Sequence, residues 1–142
     1  MHKKGVHTSI EALGLLKQRG LIDRVELTVL GSGHPDYEAR LRGMATQLDI
    51  EDRVHFVGGV PRDEVPSWLK RHDVFLFTSI GPEAMARTVM EAMAAGLVVI
   101  GSAVGGQVEM LVNEENSLTF QSEDAEALAG HIERVLRDPA LL

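Results

Sequence analysis

Short β-branched runs alternate with amphipathic stretches along the whole chain, and this order limits the fold more than any other feature. Strands are read at 25–30, 54–57, 74–78, 97–102 and 117–120. Helices are read over 6–19, 36–48, 63–71, 88–95, 107–112 and 125–137. Strand and helix in alternation argue for parallel strands with helical crossovers, hence a layered α/β sheet. The run "VFLFT" from Val74 to Thr78 reads as a buried strand. Gly20 and Gly96 end the first and fourth helices, Asp36 is the expected N-cap of the second, and Pro66 is tolerated only in a first turn. Leu128, Ala129, Ile132 and Leu136 form one apolar face of the last helix, which Asp138 and Pro139 stop. At 142 residues, with no internal repeat or linker, the chain is read as a single domain, 1–142, with a real core.

Composition excludes several classes of function. The net charge is −7, with no basic stripe and no interleaved aromatics, which argues against nucleic-acid binding. There are no cysteines, so disulfides, thiolate metal sites and cysteine nucleophiles are ruled out; a cytoplasmic location fits. No run is long and apolar enough to span a bilayer, and none reads as a signal peptide. The six histidines show no HxH or HExxH spacing, so no metal is expected. There is no GxSxG elbow, and Gly31-Ser32-Gly33 lacks the third glycine of a dinucleotide fingerprint, which makes NAD a poor ligand.

Chemistry concentrates around two carboxylates. Glu83 and Glu91 bracket "EAMARTVMEAMAAG" with seven residues between them. Glu91 is the sole charged side chain from Thr88 to Val108. An ionised carboxylate is costly to bury unless it is paired or hydrogen-bonded, so this position calls for something polar to bind. A carboxylate that merely reaches the surface at a helix edge is the other reading. The segments Gly31 to Gly33, Gly58 to Pro61, Ser79 to Glu83 and Ser102 to Gly106 all follow strands and should converge on one rim, where open α/β sheets bind ligands. Helices beginning near Glu83 to Thr88 and near Gly105 to Gln107 would direct free N–H groups there, an arrangement suited to a diphosphate. Two ordinary helix caps would look the same.

The run "EAMARTVMEAMAAGLVVIGSAVGGQVEML" resembles the donor-binding signature of GT-B retaining glycosyltransferases, the large group 1 family. "KKGVHTSIEALGLLKQRG", "LTVLGSG", "IEDRVHFVGGVPRDEVPSWLKRHDVFLFTS" and "NEENSLTFQSEDAEALAGHIERVLRDP" are similar, in order, to that family's other elements. The resemblance implies a Rossmann-like open parallel sheet flanked by helices, the GT-B C-terminal half. It further implies a nucleotide-sugar donor carrying UDP, GDP or ADP, no cofactor, and transfer of the sugar to a hydroxyl acceptor with retained configuration. By position, Glu91 matches the residue that binds the ribose hydroxyls, Glu83 the one facing the transferred sugar, and Lys4 the cation that neutralises the diphosphate. Gly31 and Gly33 match a loop lining the nucleotide pocket, and Gly59 and Val60 the cradle of the base. Ala84, Met85, Ala86, Arg87 and Thr88 match the phosphate-binding turn, although the family usually has glycines flanking an aromatic there. Ser117 and Val98 replace a common glycine and a common proline.

The family's domain begins with a strand and an arginine ahead of the lysine matched by Lys4, and this sequence has room for neither. The sheet is therefore expected to lack its first strand, which is central in the usual order. The strands from Val25 and Val74 are expected to pair directly or to recruit a strand from another copy, so self-association through an incomplete sheet is a further expectation. The acceptor-binding N-terminal domain is also expected to be missing, leaving the isolated chain inactive; peripheral attachment to the inner membrane in a full-length protein stays open. Two other readings remain: a nucleotide-sugar epimerase and a non-catalytic nucleotide-sugar-binding module.

Overall fold

The computed structural model describes residues 2–83 and 86–142. In chain order the elements are α1 (Val6–Gln18), β1 (Leu27–Leu30), α2 (Pro35–Gln47), β2 (Val54–Gly58), α3 (Val65–Leu69) and β3 (Val74–Phe77). They continue with α4 (Arg87–Ala94), β4 (Val98–Ser102), α5 (Gln107–Met110), β5 (Leu118–Phe120) and α6 (Ala125–Arg137). Every pairing between these strands is parallel. The fold is the expected α/β sheet with helical crossovers.

Local chemistry explains most boundaries and several departures. Gly20 and Gly96 take left-handed φ values of 74° and 82° just past α1 and α4, as helix-ending glycines do. α2 starts one residue earlier than expected. His34, not Asp36, is its N-cap: the ring Nδ1 accepts from the Asp36 N–H at 3.3 Å, and Pro35 opens the first turn with its φ already set. α5 has four residues rather than six, because Leu111 turns extended and Asn116 takes over the exposed polar groups: its Oδ1 accepts from the Val112 N–H and its Nδ2 donates to the Met110 carbonyl. Past α6 the chain does not simply stop. Asp138 accepts from the Ala140 N–H and begins a short 3₁₀ turn, Pro139–Leu141.

The strands form two sheets, β1-β2 and β3-β4-β5, and β1 does not hydrogen-bond to β3. Of the two alternatives expected for these strands, direct pairing is not made. A cleft of about 950 Å³ runs between them instead, lined by the whole of β1 on one side and of β3 on the other. This is why Val74, Phe75 and Leu76, read as buried from sequence, are only half-buried. β4, which has neighbours on both edges, is buried from Val99 to Ser102. A hydrogen bond of 2.9 Å between His72 Nε2 and Thr28 Oγ1 crosses the gap.

α1 joins the halves. Its Ile10 and Leu13 pack with Val29, Leu41, Ile50 and Val54 around the first sheet. Its Ala12 and Leu16 pack with Ile100, Leu118, Phe120 and Leu128 around the second. Arg19, just past α1, adds ion pairs to Glu126 and Glu133 on α6 at 2.7 and 3.1 Å. A third core lies around Phe77, Val99, Val89, Ala92 and Leu111. Ile10 and Leu16 are both fully buried, one in each of the first two cores. Replacing either with alanine should lower the free energy of unfolding by about 2–5 kcal/mol in urea denaturation. A loss below about 1 kcal/mol at both positions would refute the bridging role of α1.

Candidate functional site

The strands end on one rim, where six of the residues singled out in the sequence border the cleft, whereas Glu83, Ala86 and Arg87 do not. The cleft between β1 and β3 opens at that rim onto Lys4, Gly31, Ser32, Gly59, Val60, Thr88 and Glu91. β1 and β2 arrive with a register shift between Val29 and Leu30, and the Gly31 N–H then donates to the Gly58 carbonyl at 2.7 Å. Gly31 has φ 108° and Gly58 φ 85°, so backbone forms this corner where side chains would be strained. Gly33 does not border the cleft. Ala84 and Met85 lie outside the described residues.

Lys4 is delivered by the turn ahead of α1. The Ile80 N–H donates to the Lys3 carbonyl at 2.8 Å, and Thr78 Oγ1 donates to the Lys4 carbonyl at 2.7 Å. Gly5 follows with φ 66°, and a Cβ there would lie 1.9 Å from the Thr78 carbonyl oxygen. The next turn is anchored by His7, whose Nδ1 lies 2.8 Å from the Tyr37 hydroxyl and whose Nε2 lies 3.2 Å from Glu123 Oε1. Burial pushes the Tyr37 phenol above its ordinary range, partly offset by the hydrogen bond it receives from the His7 backbone. This cluster was not read from the sequence, since no local spacing links positions 7, 37 and 123.

Lys4 and Glu83 then meet. Lys4 Nζ donates to Glu83 Oε1 at 2.5 Å, and Ser79 Oγ donates to the same oxygen at 3.1 Å. Ser79 is itself fixed, because the buried Ser102 hydroxyl donates to its carbonyl at 2.7 Å. The Glu83 carbonyl accepts from the Gly106 N–H at 2.9 Å. A Cβ on Gly105, which has φ 55°, would come within 2.5 Å of that carbonyl oxygen. The glycine pair read as a turn therefore holds Glu83 by close backbone contact. An ammonium carries three N–H donors, so Lys4 can hold Glu83 and still face an anion.

Helix starts contribute less than expected. α4 begins at Arg87 with Ala86 as its cap residue and, among the described residues, no side-chain cap hydrogen bond; its Val89 N–H donates to the Ala86 carbonyl at 3.2 Å. Arg87 and Thr88 there are exposed. α5, the second start invoked for a diphosphate, is a single turn, too short to carry a useful dipole. The expectation of two converging helix N-termini reduces to one.

Glu91 lies on α4 with its side chain about a quarter exposed. Its Oε1 accepts from Arg62, in the 3₁₀ turn Arg62–Glu64 that follows β2. Its Oε2 is buried and has no hydrogen-bond donor among the described residues. The sequence reading that Glu91 needs a polar partner thus finds one half of the answer in Arg62, which it did not single out. No local motif pairs positions 29 residues apart; the charge-poor surroundings of Glu91 were the available signal. Among the described residues no group of three or more His, Asp or Glu could hold a metal ion.

Gly5→Ala should displace the Lys4 turn, because both the left-handed φ and the Thr78 carbonyl oppose it. Unfolding should cost about 1–3 kcal/mol less, read by thermal or urea denaturation. An unchanged midpoint would show that the turn is not held as described.

Residues 1–142 match the profile of the family described as glycosyl transferases group 1. The amylovoran biosynthesis glycosyltransferase AmsK of Erwinia amylovora is 35% identical over 143 residues, covering 97% of this chain and 34% of that protein. Anabaena HepE, crystallised in complex with UDP, superposes with a TM-score of 0.90 at 27% identity, covering 99% of this chain and 38% of HepE. The C-terminal domain of a Francisella tularensis group 1 family protein, LpcC, gives a TM-score of 0.87 at 25% identity, with 99% and 73% coverage. The chain spans about a third of the length of the curated relatives it matches.

Proposed function

From the premise that this chain belongs to the glycosyl transferases group 1 family and has the fold of a GT-B C-terminal domain, we propose that it binds the nucleoside diphosphate sugar of a metal-independent, retaining sugar transfer to a hydroxyl acceptor. The observation that carries this reading is Glu91: a carboxylate bordering the cleft with one oxygen on Arg62 and the other buried without a donor among the described residues. Vicinal ribose hydroxyls supply the kind of donor that such an oxygen accepts. The likeness to HepE, which was crystallised with UDP, supports a nucleotide ligand.

In this reading each group has a charge to meet. The base lies against Gly59 and Val60, and the ribose against Glu91. The diphosphate lies toward Lys4 and the first N–H groups of α4, where positive charge and free donors coincide. As the bond to the sugar breaks, negative charge gathers on the leaving diphosphate, and fixed donors stabilise it without rearranging. Glu83, held by Ser79 and by backbone at Gly106, faces the sugar. On the same face, the leaving phosphate takes the proton of the incoming hydroxyl. The acceptor contacts belong to residues outside this domain, so the 142 residues alone are expected to bind donor without turning it over. We place the protein in the cytoplasm; among the described residues no helix is long and apolar enough to cross a membrane.

The deciding experiment is calorimetric titration with UDP, GDP and ADP. At least one should bind, NAD should not, and Glu91→Ala should weaken the binding by roughly 1–3 kcal/mol, the scale for hydrogen bonds to a charged group. Binding of none of the three, or an affinity indifferent to Glu91→Ala, overturns the reading. Donor isomerised rather than transferred by a longer form would favour an epimerase.

The unpaired edges of β1 and β3 are also sites for strand addition, so we propose self-association through them. Sedimentation velocity should show the mass rising with concentration. A monomer throughout the micromolar range would sink this.

A further inference from the structure

We infer that Arg62 is the residue that presents Glu91 to the ligand, a positioning residue acting through that carboxylate. The inference rests on the reading of Glu91 as the ribose contact. Arg62 follows β2 and so belongs to the first sheet, whereas α4 packs on β3 and β4 of the second. The Arg62 Nη2 to Glu91 Oε1 bond therefore links the two halves at the cleft that Glu91 lines together with Gly59, Val60 and Thr88.

The chemistry of the pair is specific. A carboxylate that is to accept from two hydroxyls must be ionised and held in one rotamer. A guanidinium on one oxygen serves both needs, since it is always charged and its N–H donors are set in a rigid fork. It fixes Oε1 and leaves Oε2, buried without a donor among the described residues, as the acceptor still to be satisfied. Without Arg62 the Glu91 side chain would be free to turn, and a ligand would have to immobilise it on binding. The Arg62 side chain is 57% exposed, so its replacement removes little packing.

The test separates action through Glu91 from any other role. The nucleoside diphosphate that binds best among UDP, GDP and ADP, and its 2′,3′-dideoxy counterpart, are titrated into the unaltered protein, Arg62→Ala, Arg62→Lys and Glu91→Ala. Thermal unfolding checks that each variant is folded. Arg62→Ala should weaken the ribose form about three- to tenfold, the scale of re-immobilising one side chain, and leave the dideoxy form unchanged. Arg62→Lys, which keeps the charge without the fork, should fall between. Equal weakening of both forms, no weakening of either, or tighter binding of the ribose form overturns the inference. Glu91→Ala tells the two failures apart. If it distinguishes ribose from dideoxy ligand and Arg62→Ala does not, only the role of Arg62 falls. If it fails to distinguish them, or no diphosphate binds, the ribose reading of Glu91 falls first.

Discussion

The two faces of α1 hold this domain together. β1 and β3 share no ladder, so the hydrogen bonds that usually make a parallel sheet one body are absent where the halves meet. Cohesion falls to side-chain packing, with Ile10 and Leu13 toward one sheet and Ala12 and Leu16 toward the other. Burial of apolar surface is non-directional, so it tolerates a gap that hydrogen-bond geometry would not. The His72–Thr28 bond and the Arg62–Glu91 pair also cross between the halves, but each is a single polar contact.

The candidate site inherits this arrangement. Its residues come from both halves: Glu83 and Glu91 from the segments around the second sheet, Gly59, Val60 and Arg62 from the end of the first. Lys4 arrives on the turn that leads into α1 itself. The fixed points are backbone contacts, at Gly5 against Thr78 and at Gly105 against Glu83, where no side chain fits. Charged side chains set on fixed backbone fit the diphosphate site proposed above.

Much of this was legible in the sequence. α6 lies where its apolar face and its Asp138–Pro139 end placed it, and all five strands fall inside or within a residue of their readings. Glu91 borders the cleft, where a charge in a small, apolar run can reach solvent and a partner. What the sequence hid was long-range. Arg62 reaches Glu91, and Tyr37, His7 and Glu123 meet, only because the topology brings distant loops together. The length of α5 and the His34 cap turned on local competition: an Asn116 side chain and a histidine ring offered hydrogen bonds that periodicity does not register. The half-exposure of Val74 to Leu76 followed from the absent ladder between β1 and β3, a matter of pairing rather than of pattern.

The packing of α1 against α6 links opposite ends of the polypeptide, with Arg19 bonded to Glu133 across 114 positions. Within the domain, the second face of α1 is thus covered only when α6 packs onto it. During synthesis the Ala12–Leu16 surface stays wet until residues near 128–135 emerge, and the first sheet is the half that can assemble around α1 in the meantime. Closure of so long a loop is slow for entropic reasons. The long-range contact of α1 with α6 is therefore the one that makes the two sheets a single cooperative body.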